Sequence, residues 1–325
     1  MVKKALALLL LSSLGLTAGC ASQEQEEVVI GLTYVPNVQF APYYVALDEG
    51  YFDDEGISVE LRHHGQDEDL FGALTQGKED IVVAGGAEML QANDQGIDAV
   101  TFQTLYASYP VAVIVAQDSP IESLGDLEGK TLGVPGRFGE TWFGALAFLE
   151  QAGLDEKDVE IKEIGFTQQA ALSEGHVDAV VGFANNDIPQ FKATGLDVRA
   201  IDFDPIPVVG VGNGTTSSMI SEHPEVIEAV TRATKRAVED IVNDPSRAFE
   251  AAQDHLPGTI TAEQREVMED VIEATSELYG TIDSNWGVPD LEVWQEMNDF
   301  MANVDLIEHQ VDLDDVVTDD FGGKE

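Results

Sequence analysis

The chain has 325 residues, of which 44% are hydrophobic, and carries a formal net charge of −45 at pH 7. This length exceeds the roughly 100–150 residues of a single domain, so we expect two lobes or domains with well-packed cores. The charge excludes nucleic acid as a partner, because nucleic-acid binding requires clustered Lys and Arg that displace counterions. It also excludes electrostatic attachment to anionic lipid headgroups.

The N-terminus has the pattern of an export signal. A basic pair, Lys3-Lys4, precedes an apolar run over 5–16 and small residues over 17–19. The apolar run is shorter than the roughly 20 residues that a membrane-spanning helix needs. Together these features indicate a signal peptide over 1–19 and therefore an exported protein.

The residue after the predicted cleavage site is Cys20, the single cysteine of the sequence. It cannot form an intramolecular disulfide, and its position resembles a bacterial lipobox, although Leu16 lies one position earlier than in the commonest form. We expect Cys20 to carry a lipid that anchors the exported, extracytoplasmic protein to the cell membrane. Cleavage without lipidation is the alternative. Residues 20–27 have the polar composition of a flexible tether.

Strands and short helices alternate along the first part of the mature chain. β-Branched runs mark the strands, and glycines end the helices. In chain order the predicted elements are a strand at 28–32, a helix at 41–48, a strand at 56–61, a helix at 70–76, a strand at 80–84 and a helix at 88–94. Such alternation predicts a mainly parallel sheet flanked by helices.

A second α/β set follows a strand predicted at 111–116. Its elements are a strand at 131–134, a helix at 142–151, a strand at 159–164, a helix at 168–172 and a strand at 177–181. The buried strands at 80–84 and 177–181 both follow a strand–helix–Gly sequence. This weak internal repeat indicates two similar lobes.

The chain is then predicted to return to the first lobe. A strand at 205–212 precedes the polar, glycine-rich segment 212–218, which is predicted to be a loop. Four predicted helices follow at 225–244, 244–256, 261–279 and 291–304. The predicted first lobe therefore comprises 28–115 plus 205–325, with a helical C-terminal cap, and the second comprises 116–204. Two lobes joined by two connections can close on a ligand like a hinge.

The sequence contains no motif that supports catalysis. Its histidines do not form a helical i, i+4 metal pair, and neither a G-x-S-x-G elbow nor a phosphate loop ending in Gly-Lys-Ser/Thr is present. With Cys20 assigned to the anchor, no thiol remains for catalysis or zinc. We therefore predict a protein without enzymatic activity, cofactor or metal site.

Polar and aromatic residues follow the predicted strands, at the sheet edge where open α/β sheets bind ligands. These residues are Tyr34, Asn37, Gln39, Phe40, Glu88, Tyr109, Arg137, Phe138, Trp142, Asn185 and Asn186. Aromatic faces can stack on a flat ring, and paired Asn side chains offer donors and acceptors to a heteroaromatic edge. Structural roles are the alternatives: a surface charge for Arg137, a core position for Trp142 and a helix N-cap for the asparagines.

Several segments resemble a known family. The sequence TYVPNVQFAPYYVA at 33–46 is followed by EGYF at 49–52 and by Gly56-Ile57, and the segments GVPGRFG at 133–139 and GFANN at 182–186 continue the likeness. Over nearly the whole mature chain, the sequence is similar to the thiamine-pyrimidine-precursor and riboflavin binding proteins of ABC importers. The last two segments look more like the riboflavin-binding branch.

The resemblance implies a two-lobed periplasmic-binding-protein fold of type II with the ligand in the interlobe cleft. It implies ligand contacts for the candidate residues above, apart from Phe40. It further implies riboflavin as the ligand, with formylaminopyrimidine or hydroxymethylpyrimidine thiamine precursors as the alternative, and the permease and ATPase subunits of an importer as partners. Relatives that synthesise the thiamine pyrimidine are a further alternative, but this chain lacks their cysteine-rich segment.

Overall fold

The computed structural model describes residues 27–65 and 68–322. The predicted signal peptide, Cys20 and the tether up to residue 26 lie outside these residues, so their predicted roles stay predictions. Within the described ranges, no helix combines the length and apolar composition that crossing a bilayer requires.

The described residues form ten strands, distributed over two sheets. They are β1 (Glu27–Leu32), β2 (Ser58–His63), β3 (Ile81–Gly85), β4 (Val100–Thr104), β5 (Val111–Ala116), β6 (Thr131–Val134), β7 (Glu160–Glu163), β8 (Ala179–Phe183), β9 (Val198–Ala200) and β10 (Val211–Thr215).

Helices cover both sheets and make up the C-terminal part of the described chain. They are α1 (Ala41–Asp48), α2 (Tyr51–Asp54), α3 (Gly72–Thr75), α4 (Gly86–Asp94), α5 (Gly139–Ala152), α6 (Gln168–Ser173), α7 (Ala184–Ala193), α8 (Ser217–Glu222), α9 (Pro224–Asn243), α10 (Ser246–His255), α11 (Ala262–Leu278) and α12 (Leu291–Asn303).

The two sheets share one strand order. The first is β2-β1-β3-β10-β4 and the second is β7-β6-β8-β5-β9. In each, three strands pair in parallel, and one strand then runs antiparallel to both of its neighbours. Four of the five strands therefore run in one direction, which confirms the predicted mainly parallel sheets and the similarity of the two lobes.

The antiparallel strand of each sheet enters from the other lobe. β5 follows β4 of the first sheet but pairs with β8 and β9, and β10 follows β9 of the second sheet but pairs with β3 and β4. The chain thus crosses between the lobes at 105–110 and again at 201–210. The sequence places 111–115 in the first lobe, whereas strand pairing places them in the second sheet.

The prediction of a loop over 212–218 is wrong, because its first half is the central strand β10 and its second half begins α8. Two glycines make this strand look loop-like in the sequence. A Cβ at Gly212 would overlap the Gln103 carbonyl oxygen, and one at Gly214 would overlap the Met89 side chain. The glycines are therefore needed for close packing inside the sheet.

Long amphipathic helices bury one face in the apolar core of the first lobe, where α9 packs against α1 and α2. In α9, Pro224 occupies the first turn, where a missing backbone N–H costs nothing. The buried residues recur at the i, i+3, i+4 spacing of one helical face: Ile227, Val230, Ala233, Ala237, Val238 and Ile241. A second apolar core includes residues of α4, α5 and α12, and so spans both lobes.

Candidate functional site

A cavity of about 280 Å³ lies between the two lobes, at the carboxyl ends of their strands. Its size is close to the lower end of the roughly 300–1,000 Å³ typical of ligand sites. Residues that follow β1, β3 and β4 line one side, and residues that follow β6, β7 and β8 line the other. The location is the one that the sequence predicts.

Six of the predicted site residues line this cavity. They are Tyr34, Gln39, Phe40, Glu88, Phe138 and Asn186. The first four come from the first lobe and the last two from the second. The structure therefore brings together residues that are more than 100 positions apart in sequence.

Three further candidates lie in the contact between the lobes and outside the cavity lining. The Asn37 amide is 3.5 Å from Asn186 Oδ1. Asn185 is buried and donates a hydrogen bond from Nδ2 to Thr275 Oγ1 at 2.9 Å. The Tyr109 hydroxyl donates to the Glu140 carbonyl oxygen at 2.6 Å, so Tyr109 positions the first turn of α5.

Arg137 and Trp142 lie away from the cavity lining. The Arg137 guanidinium forms ion pairs with Glu156 and Glu163, and its Cζ lies 4.6 Å from the centroid of a Trp142 ring. Trp142 itself is buried in the core. Their positions match the structural alternatives of a surface charge and a core residue.

Two aromatic side chains of the second lobe are exposed beside the cavity. Phe138 is 60% exposed and Phe166 is 55% exposed, the two largest values among large hydrophobic residues of the described chain. Both line the cavity, with Tyr34 and Phe40 on the opposite lobe. Aromatic side chains can stack on a flat ligand ring, and the bound ligand would then cover the apolar surface of Phe138 and Phe166 and remove it from water.

A pair of carboxyl groups meets between the lobes. Glu88 accepts a hydrogen bond from the Gly85 N–H at 3.0 Å, and burial raises its pKa to about 7. Glu140 is 7% exposed, and burial together with the nearby Glu88 raises its pKa well above the usual range. The Tyr109 hydroxyl and the Glu88 N–H approach the Glu140 carboxyl, but neither carboxyl oxygen has a described partner at hydrogen-bond geometry.

Asp187 adds a third buried carboxyl to the lining. It accepts a hydrogen bond from the Phe183 N–H at 2.9 Å, at the start of α7. Burial raises its pKa to about 6. Its charge in turn contributes to the raised pKa of Tyr34 on the other lobe, after the larger effect of burial.

Several lining residues were missed by the sequence analysis, above all Glu140, Phe166 and Asp187. Glu140 and Asp187 come directly after the segments 133–139 and 182–186, next to residues that were chosen instead. Phe166 follows β7, so applying the strand-end rule to that strand as well would have found it. Among the described residues, no group of His, Cys, Asp or Glu could hold a metal ion.

Solved structures place the chain in a class of two-lobed proteins. The aliphatic sulphonate-binding protein SsuA of Escherichia coli matches with a TM-score of 0.70 at 17% identity, over 90% of this chain and 92% of SsuA. This likeness shows the fold, which is the periplasmic-binding-protein fold. The predicted fold class is thereby confirmed.

The chain belongs to the NMT1/THI5-like family, whose model matches residues 37–248. It is 32% identical to the riboflavin-binding protein RibY of Chloroflexus aurantiacus, over 91% of this chain and 86% of RibY. It is 25% identical to the formylaminopyrimidine-binding protein of Halalkalibacterium halodurans, over 95% of each. A 4-amino-5-hydroxymethyl-2-methylpyrimidine phosphate synthase of Aspergillus parasiticus is also 25% identical, over 73% of this chain and 74% of the synthase. These matches confirm the predicted family.

Proposed function

We propose that this protein is the substrate-binding subunit of an ABC importer and that it captures riboflavin between its lobes. The observation that carries the proposal is the interlobe cavity with aromatic faces on both sides, Tyr34 and Phe40 against Phe138 and Phe166. A flavin ring is flat and needs stacking surfaces, and its edge needs polar partners such as Gln39. The likeness to RibY over most of both chains supports the same ligand.

Capture would proceed by closure of the lobes around the ring. The interlobe contacts bury the ligand from water, so the affinity comes from desolvated apolar contacts and a few polar anchors. The ligand then stabilises the closed form, which the permease and ATPase assembly recognises. The protein would bind and release its ligand without changing it chemically.

The direct test is a titration of riboflavin fluorescence with purified protein that has been freed of ligand. We expect saturable quenching with one ligand per chain, because stacking on aromatic side chains quenches the flavin. A thermal-shift measurement should show a higher Tm with riboflavin, since a ligand that binds only the folded state stabilises it. The absence of a saturable response up to high micromolar riboflavin would reject the proposal.

A formylaminopyrimidine or related thiamine precursor is the second candidate ligand. The observation that favours it is the carboxyl pair of Glu88 and Glu140, because a protonated carboxyl can accept a hydrogen bond from an amino group and donate one to the neighbouring ring nitrogen. Calorimetry with this compound and with riboflavin separates the two ligands. Turnover with pyridoxal phosphate and iron would instead support an enzymatic role like that named for the synthase relatives.

Export and anchoring through Cys20 belong to the same proposal, since an importer subunit captures its ligand outside the cytoplasm. The expected result is that Cys20→Ala releases the protein from the membrane fraction into the soluble extracytoplasmic fraction. Fatty-acid labelling of the wild-type chain, absent from the variant, is the measurement. An unlabelled wild-type chain would mean cleavage without lipidation.

A further inference from the structure

The interlobe cavity is lined by acidic groups and by none of the opposite charge among the described residues. Glu68, Glu88, Glu140 and Asp187 all contribute to the lining, and no described lining residue is Lys, Arg or His. Glu68 is paired with Arg62, whereas no described cation pairs with Glu88, Glu140 or Asp187, so an anionic ligand would meet no free cation in the described lining. The net charge of −45 adds long-range repulsion of anions.

Two of the helix N-termini at this edge, those of α4 and α7, are already occupied by the protein's own carboxylates, and that of α5 carries Glu140 in its first turn. A free helix N-terminus is a natural phosphate site, because its backbone N–H groups and dipole favour negative charge. At the start of α4, the Gly85 N–H donates to Glu88, and at the start of α7, the Phe183 N–H donates to Asp187. A phosphate group would have to displace these carboxylates.

Arg62 and Arg137, which lie within a few residues of lining positions in the sequence, are both already paired with carboxylates. Arg62 forms ion pairs with Glu68 and Glu79. Arg137 forms ion pairs with Glu156 and Glu163 on the outer side of its lobe. Neither side chain lines the cavity.

The buried carboxyl of Glu140 indicates that the cavity accepts a hydrogen-bond donor. Its carboxyl is more than nine-tenths buried, lines the cavity and has no described partner at hydrogen-bond geometry. A buried polar group without a partner is costly, so a ligand that donates to it gains the energy otherwise lost. Glu88 lies beside it from the other lobe, and its charge contributes to the raised pKa of Glu140.

We propose that the cleft selects its ligand by charge, so that it binds the unphosphorylated heterocycle and rejects the phosphate ester of the same compound. Glu140 and Glu88 accept hydrogen bonds from N–H or O–H groups of a neutral or protonated ligand. The ionised carboxylate of Asp187 and the lack of a free cation in the described lining disfavour a phosphate group. This proposal concerns the same cavity as the proposed function, and it rests on the proposed function for the identity of the heterocyclic ligand.

The experiment compares each ring compound with its phosphate. Dissociation constants are measured by calorimetry for riboflavin and flavin mononucleotide, and for 4-amino-5-hydroxymethyl-2-methylpyrimidine and its phosphate. We expect the ring compound that binds to bind at least about 100-fold more tightly than its ester, since a buried, unpaired doubly charged group is strongly disfavoured. At pH 8, where Glu88 with its pKa of about 7 is ionised, Glu88→Gln should narrow this ratio about tenfold, because an amide repels the phosphate less.

Glu150→Gln is the control, because Glu150 is exposed near the end of α5 and does not line the cavity. It should leave the ratio unchanged. Circular dichroism and Tm establish that each variant is folded, and Asp187→Asn replaces Glu88→Gln if the latter fails to fold. A ratio that stays the same in the folded Glu88 variant would overturn the proposed selection by charge.

The outcomes separate this inference from the proposed function. If riboflavin and flavin mononucleotide bind equally well, selection by charge is wrong, whereas flavin binding stands. If the pyrimidine binds and its phosphate does not, selection by charge stands, whereas riboflavin as the ligand is wrong. If none of the four compounds binds, both proposals are overturned.

Discussion

At the scale of single residues, exposure identifies groups that folding alone does not explain. Phe138 and Phe166 are large apolar side chains that remain more than half exposed, beside a cavity whose other wall carries Tyr34 and Phe40. Isolated exposed hydrophobic residues are common in proteins, but two on one rim facing aromatic residues across a cleft form a binding surface. Replacing either side chain should therefore weaken ligand affinity without lowering the free energy of unfolding.

We therefore expect Phe138→Ala to weaken riboflavin binding about 3–10-fold, the amount that follows from losing an aromatic contact worth roughly 0.5–1.5 kcal/mol. The Tm should hardly change, because the side chain is 60% exposed. Leu291→Ala removes a 42% exposed side chain that is absent from the cavity lining and should change neither quantity. Unaltered riboflavin affinity in the Phe138 variant would count against the stacking role.

The buried carboxyl of Glu88 makes a second prediction at this scale. Its pKa is raised from 4.5 to about 7, chiefly by burial, and the groups near it are Glu140, the Tyr109 hydroxyl and the Gly85 N–H. The folded protein holds this proton more tightly than the unfolded chain. The stabilisation from this group is therefore complete below pH 4.5 and is lost as the pH rises through 7.

The measurement is the free energy of unfolding from denaturant titrations between pH 4.5 and 8, for the wild type and for Glu88→Gln. Relative to the variant, the wild type should lose roughly 1–3 kcal/mol over this interval. The general repulsion among acidic residues is nearly the same in both proteins and cancels in the comparison. Curves that run parallel across the whole interval would show that Glu88 does not titrate differently in the folded state.

At the scale of elements, strands and helices with strong local signals could be predicted, and those defined by partners elsewhere in the chain could not. The bounds of α1 agree with the prediction for 41–48, because a proline in its first turn and a glycine after its end mark it. The return strand was predicted at 205–212 and a loop at 212–218, whereas β10 runs over 211–215, because its place as an interior antiparallel strand depends on β3 and β4, more than 100 residues away. Strand pairing of this kind leaves no mark in local composition.

The position of the interlobe cavity could be predicted from the sequence, but its individual lining side chains could not. After β6 the sequence offers Arg137, Phe138 and Trp142 as candidates, yet Phe138 and Glu140 line the cavity and Arg137 and Trp142 do not. Gly139 has a φ of +67°, and this left-handed turn sets the directions of its neighbours. The partners of Arg137 come from the segment 156–163, which no local pattern connects to it.

β10 also carries a prediction about stability, through the fully buried Asn213. Its Oδ1 accepts from the Tyr43 hydroxyl at 2.6 Å, and its Nδ2 donates to Gln103 Oε1 at 2.7 Å. Asn213→Ala leaves both of these partners buried and unsatisfied, so we expect the free energy of unfolding to fall by about 2–4 kcal/mol. Denaturant titration measures this change.

Asn303→Ala is the control for this substitution, because Asn303 is exposed at the end of α12. It should change the stability by less than about 0.5 kcal/mol. A loss for Asn213→Ala no larger than that of the control would mean that the buried network contributes nothing to holding β10 in the sheet.

At the scale of the whole molecule, the two lobes share an apolar core and also meet at defined polar contacts around the cavity. Asn185 of the second lobe reaches Thr275 on α11, and Glu140 packs against Gly85 at the end of β3. The second contact requires a glycine, because a Cβ at that position would overlap the Glu140 carboxyl. The backbone of Gly85 is extended, with φ of −76°, so a larger residue causes no strain in its own lobe.

Gly85→Val should therefore hinder closure without destabilising the first lobe. All three atoms nearest to the added Cβ belong to Glu140, so the overlap lies across the lobes and not within one of them. With saturating riboflavin, the decrease in radius of gyration measured by small-angle X-ray scattering should be smaller than in the wild type, and riboflavin affinity should fall at least about fivefold. Gly125→Ala, at an exposed glycine with free space around it, should behave as the wild type.

A double-mutant cycle assigns the effect to this one contact. Glu140→Ala removes the carboxyl that the added valine side chain would contact. If this contact is what hinders closure, the Gly85→Val/Glu140→Ala double variant should show the same ligand-induced compaction as Glu140→Ala alone. If Gly85→Val reduces compaction equally in both backgrounds, the valine acts within its own lobe and the glycine is not what permits closure. Compaction is the decisive readout, since loss of the Glu140 carboxyl also removes a proposed ligand contact and lowers affinity by itself.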